Sequence, residues 1–181
     1  MKKTIKIWVG AVLCTLSITS CHDDFLTEKV HDSLTPLNFY KSEADIKAAV
    51  VSVYNVMISQ DAWGRQIWLA GEYPGEAAWP NFSGEAWRTE LDQYNWNAGS
   101  TGFRQIWSSL YKMIDRANTV LEFSPNIPYS NETVKNQVEG EARFLRALAY
   151  LTLVRCFDHV PYVTVETRAE LYPTNTGTDD Q

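Results

Sequence analysis

The stretch Phe144-Leu145-Arg146-Ala147-Leu148-Ala149-Tyr150-Leu151 decides the fold. Placed on a helix it is apolar nearly all round, and such a helix must be covered on more than one side. The helix is predicted to run from about Glu132 to Phe157, with Ser130 or Asn131 as its N-cap. This is a first indication that the fold needs more protein than the helices of this chain supply.

Two amphipathic helices are predicted upstream of it. Over residues 43–58, apolar side chains recur at intervals of three and four after Ser42, a favourable N-cap. A second helix with the same periodicity opens near Phe103 and ends at Ser124-Pro125-Asn126-Ile127-Pro128. Three long helices without a strand pattern predict an all-α protein.

Residues 59–102 join these two helices and are rich in tryptophan. Neither a 3.6-residue nor a 2-residue period persists there, so we expect a long loop. Exposed indole rings suit sugars, because a pyranose presents an apolar C–H face while its rim hydroxyls need polar partners. The alternative is that these rings bury against the helices and order the loop. The candidate platforms are Trp63, Trp68, Trp79, Trp87 and Trp96, with Asn81, Asn95, Asn97 and Arg88 as polar neighbours.

Trp96 and Asn97 are the strongest candidates of this set. They lie in an Asn-rich stretch outside the predicted helical faces. A ring that no helix needs for its core is the one most free to meet a ligand.

The first 20 residues read as an export signal. A basic start is followed by an apolar run from Ile7 to Ile18, which is too short for a bilayer-spanning helix of about 20 apolar residues. Ile18-Thr19-Ser20-Cys21 resembles a bacterial lipobox, which would make Cys21 the acylated first residue of the mature chain. The alternative is an ordinary signal peptide followed by a chance cysteine. Residues 21–41 are expected to form a tether and irregular chain.

Charge and cysteine content narrow the possible functions. The chain has 181 residues and a net charge of −6, and residues 1–20 contribute three lysines and no acid. Such an acidic chain is a poor candidate for binding nucleic acid, which requires clustered cations. If Cys14 is removed and Cys21 carries lipid, only Cys156 remains, so the mature chain has no intramolecular disulfide. Cys156 lies in an apolar helix and is expected to be a buried small side chain rather than a reactive thiol.

Catalysis and metal binding are weakly supported. A surface glycosidase would need two carboxyl groups at a defined separation, and Pro74 and Gly75 interrupt any regular spacing between the acids. The histidines are far apart in sequence, so neither a metal site nor a cofactor is expected. The acids of the aromatic region are Glu72, Glu76, Glu85, Glu90 and Asp92.

The helix that ends near Phe157 also carries a family resemblance. Residues 140–150, followed by Leu153-Val154-Arg155 and Val160-Pro161, resemble the hallmark helix of the SusD/RagB family. The spacing Trp107-x-x-Leu110-Tyr111-x-x-Ile114-x-x-Ala117-Asn118 resembles the helix before it. The segments 21–26 and 39–45 resemble the start of the family, and all these matches occur in order along the chain.

The resemblance implies a tetratricopeptide-like helical scaffold with long aromatic-rich loops. It also implies a lipid-anchored protein of the cell outer membrane that binds oligosaccharide or polysaccharide together with a SusC-like TonB-dependent transporter. Residues 42–170 would be the SusD-like N-terminal helical domain, and residues 171–181 a linker or a truncated end. The alternative is a scaffold that contacts only the transporter and has no glycan site of its own.

One turn departs from the family pattern. Where the family has Gly-Asp before Val-Pro, this chain has Asp158-His159. A glycine there often serves a left-handed backbone position, so this turn is expected to differ.

Overall fold

Helix N-caps and apolar stripes set the helix boundaries in the computed structural model, which describes residues 39–75, 78–80 and 84–164. Within these ranges the chain is helical and has no strand, which confirms the all-α prediction. The elements are α1 (Glu43–Met57), α2 (Gln66–Glu72), α3 (Ala86–Asp92), α4 (Thr101–Phe123), a 3-10 turn (Ser124–Asn126) and α5 (Glu132–Phe157).

The caps of α1 and α5 follow from their sequences. The Ser42 hydroxyl accepts from the Asp45 N–H while the Asp45 carboxylate accepts from the Ser42 N–H, a reciprocal capping box. On α5, Asn131 is the N-cap, since its Oδ1 accepts from the Val134 N–H at 3.0 Å. Asn131, not Ser130, is therefore the cap of the two predicted alternatives.

The core lies between the three long helices. Helix α4 packs against both α1 and α5, and its inner stripe is fully buried. The central side chains on all three helices are inaccessible to water, as the amphipathic periodicity predicted. They include Ile46, Val53, Ile106, Leu110, Met113, Leu145 and Leu153.

The predicted aromatic loop contains two short helices that periodicity did not reveal. Helices α2 and α3 each span seven residues, too few for a recognisable stripe. Two contacts order them: Trp87 packs with Leu69 and Leu91 in a second small core, and Glu85 pairs with Arg65 at 3.3 Å and with Arg88 at 2.8 Å. The expectation of an unbroken loop over residues 59–102 is therefore wrong.

Polar side chains of α4 and α5 hold the segment that follows α5. The Tyr111 hydroxyl donates to the Pro161 carbonyl at 2.7 Å, and the Tyr150 hydroxyl donates to the Val163 carbonyl at 2.7 Å. Buried Asn118 donates to the same Val163 carbonyl and accepts from Arg146. The motif residues that carried the family resemblance thus have a structural role, which is to dock residues 160–163 across the two helices.

The turn between α5 and that segment departs from ordinary backbone geometry. Asp158 has φ 62° and ψ −108°, a backbone conformation that residues other than glycine rarely adopt. A residue with positive φ does occupy this turn, and here it is an aspartate rather than a glycine.

The outer face of α5 is apolar and uncovered by any described residue. Phe144 is 65% exposed, Leu151 57% and Val154 50%. This agrees with the expectation that the helix needs cover on more than one side.

Several sequence predictions lie outside the described residues. These are the signal segment 1–20, the lipidation of Cys21, the first part of the tether 21–41, and the end segment 171–181. Among the described helices, none is both long enough and apolar enough to cross a bilayer.

Candidate binding cleft

A cleft of about 440 Å³ opens where the end of the aromatic segment meets α4 and α5. We call it the Trp96 cleft. Its volume is within the range of small-molecule sites. It is lined by Trp96, Asn97, Ala98, Phe103, Arg104, Trp107, Cys156 and Phe157.

Local hydrogen bonds hold the segment around Trp96 in place. The Ser100 hydroxyl donates to the Glu90 carboxylate at 2.5 Å and accepts from the Asn97 N–H at 3.1 Å. The Asn97 Oδ1 accepts from the Gly99 N–H at 2.8 Å, which closes an Asx turn. The Asn97 amide oxygen has a second acceptor site and its Nδ2 carries two N–H groups, so this side chain can offer both kinds of hydrogen bond at the cleft.

A continuous series of aromatic contacts connects the loop to both helices. The Trp96 ring centroid lies 6.1 Å from that of Phe103, and Phe103 lies 6.2 Å from Phe157, both in edge-to-face geometry. Phe157 in turn meets Trp107 at 5.0 Å with an interplanar angle of 85°. Such pairs stabilise each other beyond their area of burial, so these rings support one another as the floor of the cleft.

Trp96 itself remains accessible at the edge of this floor. It is 41% exposed, and Tyr94 flanks it with a centroid distance of 5.5 Å. The Tyr94 hydroxyl donates to the Pro74 carbonyl, which fixes the flanking ring. The exposed part of the indole ring can therefore accept the apolar face of a ligand.

Two further groups define what the cleft can do chemically. Arg104 supplies a guanidinium, whose five N–H groups suit hydroxyls and anions. Burial raises the pKa of the Cys156 thiol, so it remains protonated at neutral pH and is a poor nucleophile. Cys156 is half-buried and lines the cleft, which differs slightly from the buried position expected.

The structure separates the five tryptophans that the sequence grouped together. Trp68 is 49% exposed and Trp79 is 73% exposed, but both lie outside the cleft lining, and Trp63 is partly buried against the main core. Trp87 is only 4% exposed. The prediction that Trp87 offers a ring face to a sugar is wrong, because its ring packs against Leu69, Leu91 and the start of α4.

The predicted polar neighbours also divide. Asn97 lines the cleft, whereas Arg88 is held in an ion pair with Glu85 and Asn95 lies outside the lining. Asn81 lies outside the described residues, as does Glu76. Two of the candidate glycosidase acids have partners in the protein. Glu85 forms ion pairs with Arg65 and Arg88, and Glu90 accepts a hydrogen bond from the Ser100 hydroxyl.

Sequence reasoning did not assign Phe103, Arg104, Trp107 and Phe157 to the site. Phe103 and Trp107 belong to the apolar stripe of α4 and pack against the main core, as periodicity predicts, and their partly exposed rings also line the cleft. A signal for Arg104 existed in its position, immediately after Phe103 and close to the Asn-rich stretch. This position points to the cleft only once α4 is known to begin at Thr101.

Comparison with known proteins places the chain in a family. A SusD-like family model, described as "Starch-binding associating with outer membrane", matches residues 24–180. The chain belongs to the SusD-like family.

Individual relatives agree. The chain is 28% identical over 159 residues to SusD-like protein P2 of Formosa agariphila, a match that covers 87% of this chain and 31% of the relative. It is 28% identical over 162 residues to SusD-like protein P25 of the same organism, covering 84% and 30%. A SusD-like protein of Bacteroides ovatus is 25% identical over 169 residues, covering 86% and 28%. The chain therefore spans about a third of the length of these relatives.

Proposed function

We propose that this chain provides a glycan-contacting region of a lipid-anchored outer-membrane protein that works with a SusC-like TonB-dependent transporter in polysaccharide uptake. In this proposal, acyl chains on Cys21 hold the protein at the cell surface, where one chain would bind marginally and two would bind firmly. The function is binding without chemistry, so no catalytic residue is assigned.

The observation that carries the proposal is the Trp96 cleft. A pyranose C–H face can lie on the exposed part of Trp96, while Asn97 and Arg104 offer donors to the ring hydroxyls. Family membership supports the same ligand class, since the matching family model is described as starch-binding. Tethering beside a transporter also raises the effective concentration, so modest contacts suffice for stable association.

The test is affinity electrophoresis through gels that contain polysaccharide, with the full chain and two tryptophan variants. Trp96→Ala should weaken retention on the recognised glycan by at least about tenfold, the equivalent of 1.4 kcal/mol. Trp68→Ala is the matched control, because it removes a similarly exposed ring outside the cleft. Retention that is unchanged in Trp96→Ala but lost in Trp68→Ala would move the site away from the cleft.

A scaffold role at the transporter is the second candidate function. The exposed apolar side chains of α5 favour a macromolecular contact, since single monomers rarely display such a row without use. Co-purification with the transporter, combined with no retention on any polysaccharide, would support this role and remove the glycan site.

A further inference from the structure

A second cavity of about 440 Å³ adjoins the Trp96 cleft, and Arg104 lines both. We call it the basic groove. It lies between the end of α1, the turn that follows α1, and α4. Its lining differs in kind from that of the cleft, because polar and charged side chains replace the aromatic rings.

Among the described residues, three cations and one carboxylate line the basic groove. Arg104, Lys112 and Arg116 line it together with Asp61. Arg104 lies eight residues before Lys112 on α4, and Lys112 lies four before Arg116, so the three cations span twelve residues or about 18 Å at 1.5 Å per residue. This local excess of positive charge belongs to a chain whose net charge is −6.

Within the described ranges, the three cations of this row form no ion pair with a carboxylate. Within residues 39–75, 78–80 and 84–164, the Lys and Arg side chains that pair with carboxylates are Lys47, Arg65, Arg88, Lys135 and Arg143. None of the three groove cations has a carboxylate within 4.0 Å in that part of the chain. Since no carboxylate of the described residues forms an ion pair with these cations, their N–H donors can pair with an anion that enters the groove.

The walls of the groove are fixed before any ligand arrives. The Arg116 Nη1 donates to the Ser52 carbonyl of α1 at 2.6 Å, which orients the guanidinium and leaves its other N–H groups available. The Ser109 hydroxyl donates to the Asp61 carbonyl at 2.8 Å and ties the turn to α4. A prepared site spends little binding free energy on ordering its side chains.

We infer that the basic groove takes anionic substituents, carboxylate or sulfate, of the same glycan that stacks on Trp96. The inference rests on the proposed function and names its ligand class, an acidic polysaccharide. Guanidinium groups bind planar and tetrahedral oxyanions through paired N–H donors, and Lys112 adds a mobile point charge. A sugar on Trp96 can project its neighbours past Arg104, the residue that both cavities share.

Matched polysaccharides test the inference. Dextran, carboxymethyl dextran and dextran sulfate share one backbone, and hydroxyethyl, carboxymethyl and sulfated cellulose form a second matched set. In affinity gels, the full chain should be retained at least threefold more strongly by a charged member than by its neutral counterpart. Comparison of the carboxymethyl and sulfate arms identifies which anion is preferred. Because the chain has a net charge of −6, its overall charge would repel an anionic polymer and give weaker retention by the charged member than by the neutral one.

Two variants assign the effect to the groove. Lys112→Gln removes one exposed cation of the row and should reduce the surplus retention at least threefold, while retention on the neutral polymer stays the same. Lys135→Gln removes the same charge near the start of α5, far along the sequence, and should change neither. The surplus should also fall as salt increases, because the groove is open to solvent.

Each contrary result has a distinct meaning. Equal retention by charged and neutral members would overturn the inference and leave the proposed function standing, provided that Trp96→Ala still weakens retention as predicted above. Equal loss in Lys112→Gln and Lys135→Gln would attribute the surplus to overall charge and also overturn it. No retention on any polymer, neutral or charged, would remove the proposed function together with the inference.

Discussion

The contact between Trp87 and Gly102 can be tested by adding a single methyl group. A Cβ built on Gly102 would lie within 2.5 Å of three carbons of the Trp87 ring, Cδ2, Cε2 and Cε3. That ring is 4% exposed and packed against Leu69 and Leu91, so it cannot move aside freely. Gly102→Ala should therefore destabilise the protein.

The magnitude follows from two opposing effects. Forcing an extra carbon into a packed site costs about 1–3 kcal/mol, and alanine returns at most about 1 kcal/mol of helix propensity, less at the second residue of a helix. The net loss should be about 1–2 kcal/mol, which lowers the melting temperature by roughly 2–4 °C per kcal/mol in a chain of this size. The measurement is urea unfolding followed by far-UV circular dichroism, with the m-value checked for constancy.

Gly140→Ala is the matched control on α5. No atom of the described residues lies within 4 Å of a Cβ at Gly140, and the position is exposed. The same substitution should there stabilise the protein by about 0.5–1 kcal/mol. If Gly102→Ala proved as stabilising as Gly140→Ala, the docking of the aromatic segment on α4 through Trp87 would be refuted.

Two further predictions concern the turn after α5 and the start of α1. Asp158→Gly should stabilise the protein by about 1 kcal/mol in the same urea assay, because glycine adopts the positive φ freely, whereas Asp158→Ala keeps the strain and should give no gain. Bonds from Lys47 and from the Ser130 N–H lower the pKa of Glu43 from 4.5 to about 2, so its stabilising contribution is complete above pH 4.5 and disappears as the pH falls through about 2. Unfolding of wild type and Glu43→Gln between pH 2 and 7 should show a difference that narrows over this window; a constant difference would contradict the assignment.

The long helices were predictable because each carries its own signal over many residues. The predicted range 43–58 compares with Glu43–Met57, and the predicted Glu132–Phe157 was correct at both ends. The second helix begins at Thr101, two residues before the first apolar residue of its stripe. In each case a cap and a repeating stripe act together, so local sequence and tertiary packing agree.

The short helices and the cleft depend on contacts between distant residues. Helix α3 exists where Trp87 reaches Gly102 and Glu85 reaches Arg65, and neither pair is visible as a local pattern. The cleft likewise joins residues 96–98 with the start of α4 and the end of α5. Sequence reasoning selected Trp96 correctly as a residue outside the core stripes, but it did not select Arg104, whose place in the cleft depends on where α4 begins and α5 ends. Whether Trp96 binds a sugar remains a prediction.

The two sides of α4 have consequences for how such a protein changes over generations. Ile106, Leu110 and Met113 are inaccessible to water and keep the three-helix core together, while Arg104 and Lys112 project from exposed positions of the same helix. Replacement of the exposed residues leaves the core contacts intact, so such substitutions change the free energy of unfolding little. Under the proposed function, a lineage can alter the polymer it recognises by substituting a few surface positions of α4 and keep the scaffold that presents them.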